Sequence, residues 1–342
     1  SRYGTGGHVE ASRAGGRLRA SLWGHWETEE LELNDMGYLQ APDEINTGCW
    51  AQLRYNPEGK SAHFNQGHLE FNAWRSWLYA PRTGYDLHSG LPVWSYGRAR
   101  PDGVGGVLEG WLQFRNYREV WAGLEINLES TPRYETRGRV ELLPDETGAR
   151  PVVPIPGGGP LIKKPANMGG WLGGSTDTRK DFLTQASLIY FVDATRNPYF
   201  EVEASVRWNQ TSAITHELAL EYEVRRDETQ HLGNFENPEG GIGGVSYVFG
   251  MIRQRTLDLT LRTSLLFSRD QSLEIYAQPF ITVGDFSRAR ELAAPFTDAF
   301  LPYTRDGFEA SDRDFRFSSV NLNAVYRWED RPGRTLFLVW TP

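Results

Sequence analysis

Apolar and polar residues alternate with a period of two along most of the chain. From Phe200 to Trp208 the apolar set is Phe200, Val202, Ala204, Val206 and Trp208, with Glu201, Glu203, Ser205 and Arg207 between them. Leu218, Leu220, Tyr222 and Val224 repeat the pattern against Glu217, Glu221, Glu223 and Arg225. Val120, Ala122, Leu124, Ile126 and Leu128 do the same, as do Val320, Leu322, Ala324, Tyr326 and Trp328. Such alternation is the mark of strands with one apolar face, and no helix of three turns interrupts it. The pattern predicts an all-β chain of about fourteen strands: 4–12, 17–27, 48–56, 61–79, 104–115, 117–129, 168–176, 183–194, 199–209, 215–228, 244–267, 272–285, 314–328 and 334–341.

Strand length and connection length narrow the fold. Several of these strands are twice the usual five or six residues. Twelve residues at about 3.3 Å each, tilted near 45°, rise roughly 28 Å, close to a hydrocarbon core. The connections alternate between short (13–16, 57–60, 116, 177–182, 210–214, 268–271, 330–333) and long (28–47, 80–103, 130–167, 229–243, 286–313), with 195–198 the one exception. Tight turns at one end and long loops at the other predict an antiparallel up-and-down transmembrane β-barrel, one domain over 1–342. Trp26, Trp77, Tyr79, Trp208, Trp328 and Trp340 near strand ends fit membrane interfaces. The competing reading is a soluble antiparallel sheet, one that binds carbohydrate, with its polar phase in water.

Composition removes other classes. A mean hydropathy of −0.52 and no long apolar run exclude a bundle of membrane helices. The net charge of −8 argues against a nucleic-acid partner. A single cysteine, Cys49, excludes an intramolecular disulfide framework and cysteine zinc clusters.

In a barrel the polar phase faces the interior. Here it carries Glu201, Glu203, Arg207, Glu221, Glu223, Arg225, Asp258, Arg262 and Glu274. Two readings stand: pairing across strands that holds a wet interior together, and a mildly acidic conduit. A tryptophan also falls in the polar phase of five successive strands: Trp23, Trp50, Trp74, Trp111 and Trp121. Their rings would offer sugar units a row of flat apolar faces. Alternatively they pack an inward-folded loop such as 130–167, or a bulge flips their phase.

Several runs carry a resemblance: Leu33-Asn34-Asp35-Met36-Gly37-Tyr38-Leu39, Gln254-Arg255-Thr256-Leu257, Tyr276-Ala277-Gln278-Pro279-Phe280, and Arg331-Pro332-Gly333 with the following Arg334 to Trp340. From about residue 30 to the end, the chain resembles the C-terminal barrel region of a bacterial family of unknown function. Members of that family join a domain like carbohydrate-binding module family 9 to a long outer-membrane barrel. The resemblance implies the bacterial outer membrane and no particular reaction. It also implies a longer protein, with further strands upstream and one more downstream. Parity points the same way: with short turns in the periplasm, both ends of this chain face outward, whereas complete single-chain barrels have an even strand number and are expected to keep both ends in the periplasm.

Catalytic motifs fail. Gly59-Lys60-Ser61 lacks the first glycine of a phosphate loop, and Gly240-Gly241-Ile242-Gly243-Gly244 does not complete a dinucleotide fingerprint. The sequence has no nucleophile elbow and no zincin helix. His63 and His68 are read on opposite faces of one strand. Asp306, Glu309, Asp312 and Asp314 match no calcium loop and read as solvated loop charge. The expectation is a non-enzymatic outer-membrane β-barrel with no cofactor or metal. Its role is that of a pore or transport component for glycans or other polar solutes; the alternative is a non-conducting scaffold. Expected partners are outer-membrane lipid, glycan and other envelope proteins.

Overall fold

The computed structural model describes residues 4–28, 44–57, 63–78, 84–85, 92–93, 100–132, 135–136, 139–143, 148, 152–154, 159–305 and 307–342. The Leu33 to Leu39 run, Gly59 to Ser61, Tyr79 and Asp306 lie outside them.

Fourteen strands follow one another as an antiparallel meander. They are β1 (Gly6–Arg13), β2 (Leu18–Glu27), β3 (Glu44–Tyr55), β4 (Phe64–Leu78), β5 (Arg100–Phe114), β6 (Glu119–Asn127) and β7 (Asn167–Ser175). The second half is β8 (Phe182–Asp193), β9 (Pro198–Thr211), β10 (Ile214–Glu236), β11 (Val245–Leu266), β12 (Gln271–Leu292), β13 (Phe315–Arg331) and β14 (Arg334–Trp340). Each pairs with the next in the chain. The short strand Phe300–Pro302 adds to the end of β12 and brings the antiparallel sheet to fifteen. Among the described residues a 3-10 turn at Ala310–Arg313 is the helical exception.

All fourteen predicted strands are present, because alternation survives wherever one face packs and the other is wet. The sheet itself is open. Among the described residues β1 and β14 each have one neighbouring strand, so strand order and connections match the barrel expectation while closure does not.

One end of the sheet carries only tight connections, such as 115–118, 212–213 and 332–333. At the last of these Gly333 has φ 82, a left-handed conformation glycine adopts without strain. The other end carries longer connections, such as that between β12 and β13, whose described residues include Phe300–Pro302 and Ala310–Arg313. The expected long loop at 229–243 is instead a hairpin turn at 237–244. There β10 continues past 228 to Glu236 and β11 starts at Val245; likewise β12 continues past 285 to Leu292. Register shifts at Asp227/Gln230, His231/Gly233 and Phe249/Met251 break the simple alternation in this region.

The overhang of β10, β11 and β12 holds the buried core. Val245–Ile252 is buried at every position, so both faces of the sheet are covered there, and exposure alternates again from Arg253 onward. On one side Ile162, Val245, Tyr247, Phe249 and Leu292 pack together with Leu142, Ile242 and Phe300. On the other, Leu232, Phe235, Val248 and Ala310 pack with Phe286, Ala289, Tyr303 and Phe308. The segment after Gly159 is held by hydrogen bonds as well as by packing. The Thr136 hydroxyl donates to the Pro160 carbonyl at 3.0 Å, and the Asn234 amide donates to the Thr136 carbonyl at 2.6 Å. The expected inward-folding loop 130–167 thus packs, through its described residues, on the outer ends of the strands.

Candidate functional site

Cα partners on neighbouring antiparallel strands share a face, so the registers decide which side chains stand together. Glu201 pairs with Glu223, Glu203 with Glu221, Arg207 with Glu217, and Tyr199 with Arg225. Glu217 continues to Arg262 and Glu221 to Asp258, while Ser264, in phase with Arg262, pairs with Glu274. All nine predicted polar positions therefore lie on one face. Trp23 opposes Gly48, Gly48 opposes Trp74, and Trp50 shares the phase of Gly48. Trp111 opposes Trp121 directly, and Trp121 opposes Gly173 on β7. Through Gly173–Ser187 and Ser187–Glu203 the tryptophan row joins the acidic positions on the same face. No bulge flips its phase.

The tryptophans lie against glycines of the adjacent strand. A Cβ at Gly48 would fall inside the Trp23 ring, one at Gly105 inside Trp74, one at Gly173 inside Trp121, and one at Gly123 inside Trp171. Glycine here makes room for a close approach of a ring to backbone. Trp171 is a sixth member that the sequence reading missed. Its signal was present, since it stands in the polar phase between Gly169 and Gly173. Histidines extend two of the rings: His68 stacks on Trp111 and His25 on Trp23, both at 5.6 Å between centroids. The Trp111 indole donates to Glu119 at 3.3 Å, and the Trp50 indole donates to Glu70. His68, Glu109, Trp111, Trp121 and Trp171 border a cavity of about 400 Å³.

Pairing across strands neutralises only part of the acidic sector. Arg207 meets Glu217 at 2.5 Å, but Arg225 bonds Asp227 on its own strand, and Arg262 stands over the Tyr276 ring at 5.4 Å. Glu201, Glu203 and Glu221 bring carboxylate oxygens within 4.8 Å of one another. Tyr199 donates to Glu201, and the Ser187 hydroxyl donates to Glu203 at 2.8 Å. These three carboxylates are the group among the described residues able to hold a hard cation. The loop acids are otherwise employed: Asp312 and Asp314 accept the backbone N–H groups of Glu309 and Phe286. His63 precedes β4 rather than lying on it, so the two-face argument for His63 and His68 does not apply.

The opposite face is apolar and uncovered. Leu22, Leu53, Leu69, Leu108, Leu124, Leu172, Leu188, Leu220, Leu261 and Val320 are all exposed, with Leu124 at 68% and Leu172 at 61%. Cys49 shares this phase, opposite Leu22. The apolar run on β11 (Leu257, Leu259, Leu261, Leu265) stops at Arg255 and Arg253, and neighbouring strands stop at the same level. Arg226 opposes Arg253, Arg253 opposes Asp285, and Arg255 is followed across the sheet by Val283 and Arg316.

At the tight-turn end, Arg179 donates to Asp177 at 2.9 and 2.8 Å while its guanidinium lies over the Tyr117 ring at 3.2 Å. The ring contact ties the β7–β8 turn to the β5–β6 turn, and the Arg179 partner holds the Asp177 carboxyl down at about 2.

Among known proteins, one family model matches residues 112–342, and its description is a domain of unknown function, DUF5916. No curated protein and no solved structure matches.

Proposed function

The chain belongs to the DUF5916 family, and from that premise we propose that it is the membrane-spanning part of a bacterial outer-membrane β-barrel that passes polar solutes, glycans among them. One observation carries the reading: a continuous, exposed apolar face that ends at a common level. Leucines exposed one at a time mean little, but a face shared by fourteen strands needs an apolar partner. From Leu257 to Leu265 the strand covers about 26 Å. A tilt of about 40° leaves roughly 20 Å, which fits within the ~25 Å apolar band of outer-membrane barrels. A charged residue at the bilayer midplane would cost about 2–4 kcal/mol for Arg, and the charged positions of these strands stand on the other phase or at the band's edge.

In this proposal lipid covers the apolar face. The polar face lines the interior, where flat tryptophans and an excess of carboxylates meet the solute. The chain supplies binding surface and passage rather than catalysis. A second reading, a non-conducting scaffold that docks envelope proteins through its loops, is favoured by the buried outer core around Tyr247 and Phe249. Conductance of the full-length protein in planar bilayers separates the two. Steady current interrupted by added oligosaccharides supports the conduit; insertion without current supports the scaffold.

A further inference from the structure

At the outer edge of the apolar face, five arginines gather on β10 to β13. Arg226 and Arg253 are direct cross-strand partners. Arg255, two residues along β11, is separated from Arg316 by Val283 alone. Arg288 joins the group through Glu228, which accepts from Arg226 at 2.6 Å and from Arg288 at 3.5 Å. Asp285 meets Arg255 at 3.8 Å. Two carboxylates thus face five guanidiniums, and among the described residues neither Arg253, which stands opposite Asp285, nor Arg316 makes an ion pair.

Like charges placed directly opposite each other on a sheet repel and destabilise it. Glu228 answers Arg226, and Asp285 stands opposite Arg253 without an ion pair to it, so the cluster keeps an excess of guanidiniums that a further anion would offset. Guanidinium forks bind phosphate oxygens in pairs and are weakly hydrated, which suits a headgroup boundary. The position selects the anion, because these side chains share the phase of Leu257 and Leu261 and stand where that apolar run ends. An anion held there with its apolar tail along the leucines would be an anionic lipid.

We propose that Arg226, Arg253, Arg255 and Arg316 form a binding site for the phosphate of a membrane-lipid headgroup, its acyl chains lying along the apolar face below. The site rests on the membrane reading of the apolar face and gives the outer rim a specific lipid partner. It would also fix the height of the sheet in the bilayer.

The test uses the full-length protein in nanodiscs, with native mass spectrometry counting bound lipid. The probes are bisphosphorylated lipid A, its monophosphoryl form, phosphatidylcholine and inorganic phosphate. The expected result is retention of bisphosphorylated lipid A, weakened about tenfold or more in Arg226→Gln/Arg253→Gln through loss of charge-assisted bonds. Arg316→Gln should weaken it less, and the monophosphoryl form should bind between the two. The double variant should also resist urea better than the parent in lipid-free detergent, where repulsion is relieved, and lose that advantage with lipid A present. A purely structural role would not reverse sign in this way. Equal retention of lipid A by parent and double variant would overturn the proposal. So would displacement by millimolar inorganic phosphate, which would mark a plain anion site. Failure to enter nanodiscs at all would instead sink the membrane reading.

Discussion

The Trp171 indole on β7 lies against Gly123 on β6, and the space a side chain would need at Gly123 is the space the ring occupies. The relation is repeated in reverse two residues away, where Trp121 covers Gly173. Glycine opposite tryptophan leaves room for these rings to lie close to the backbone of the neighbouring strand. Gly123→Val should cost about 1–3 kcal/mol through overpacking. Urea unfolding in vesicles reads it as a lower midpoint, and an unchanged midpoint would mean that the ring swings away freely.

The two faces should answer oppositely to the same charge. Leu124→Arg puts a guanidinium in the middle of the apolar face and should cost about 2–4 kcal/mol in lipid. Ser205→Arg, on the polar face beside Ala219, should cost less than about 0.5 kcal/mol, as surface changes do. Folding equilibria of the two variants in the same vesicles make the comparison.

The turn at Asp177 gives a pH signature. Arg179 holds the carboxyl at about 2, below the value of about 3.9 expected in the unfolded chain. A depressed carboxyl contributes stability in full above its unfolded value and loses it as pH falls through the folded one. Asp177→Asn should therefore unfold at lower urea than the parent at pH 7. The gap should hold down to about pH 4 and close as pH approaches 2.

The outer core should be separable from the spanning sheet. Phe249 is fully buried against Phe300 and His231, and Phe249→Ala should cost about 3–5 kcal/mol. The expected result is easier protease cleavage near Leu161 and Ile162, with the band of the spanning strands retained.

How much of this the amino-acid order disclosed depended on whether one face stayed polar. Glu201 to Arg207 and Glu217 to Arg225 alternate cleanly, so their strands and shared face were legible, as was the tryptophan row up to Trp121. Around Leu232 and Val245 to Ile252 both faces are covered, alternation stops, and local pattern cannot tell a doubly buried strand from a loop that packs. That is why the ends of β10 and β12 were placed short. The packing of Ile162 on Tyr247 and Phe249 joins segments far apart in sequence and has no local signature. Trp171 stands in the polar phase, opposite Met168 and Leu172, so its place in the row was legible but weakly marked among the glycines of its strand. The opposed pair Arg226–Arg253 depends on cross-strand register, which no single strand reveals.

The central claim is that alternate positions of one strand meet lipid and water. Spin labels placed singly at 120, 121, 122, 124, 125 and 126 on β6, in a Cys49→Ser background and in vesicles, test it residue by residue. High oxygen and low nickel-chelate accessibility are expected at 120, 122, 124 and 126, and the reverse at 121 and 125. Nickel-chelate access at both sets, or none of the period of two, would contradict it.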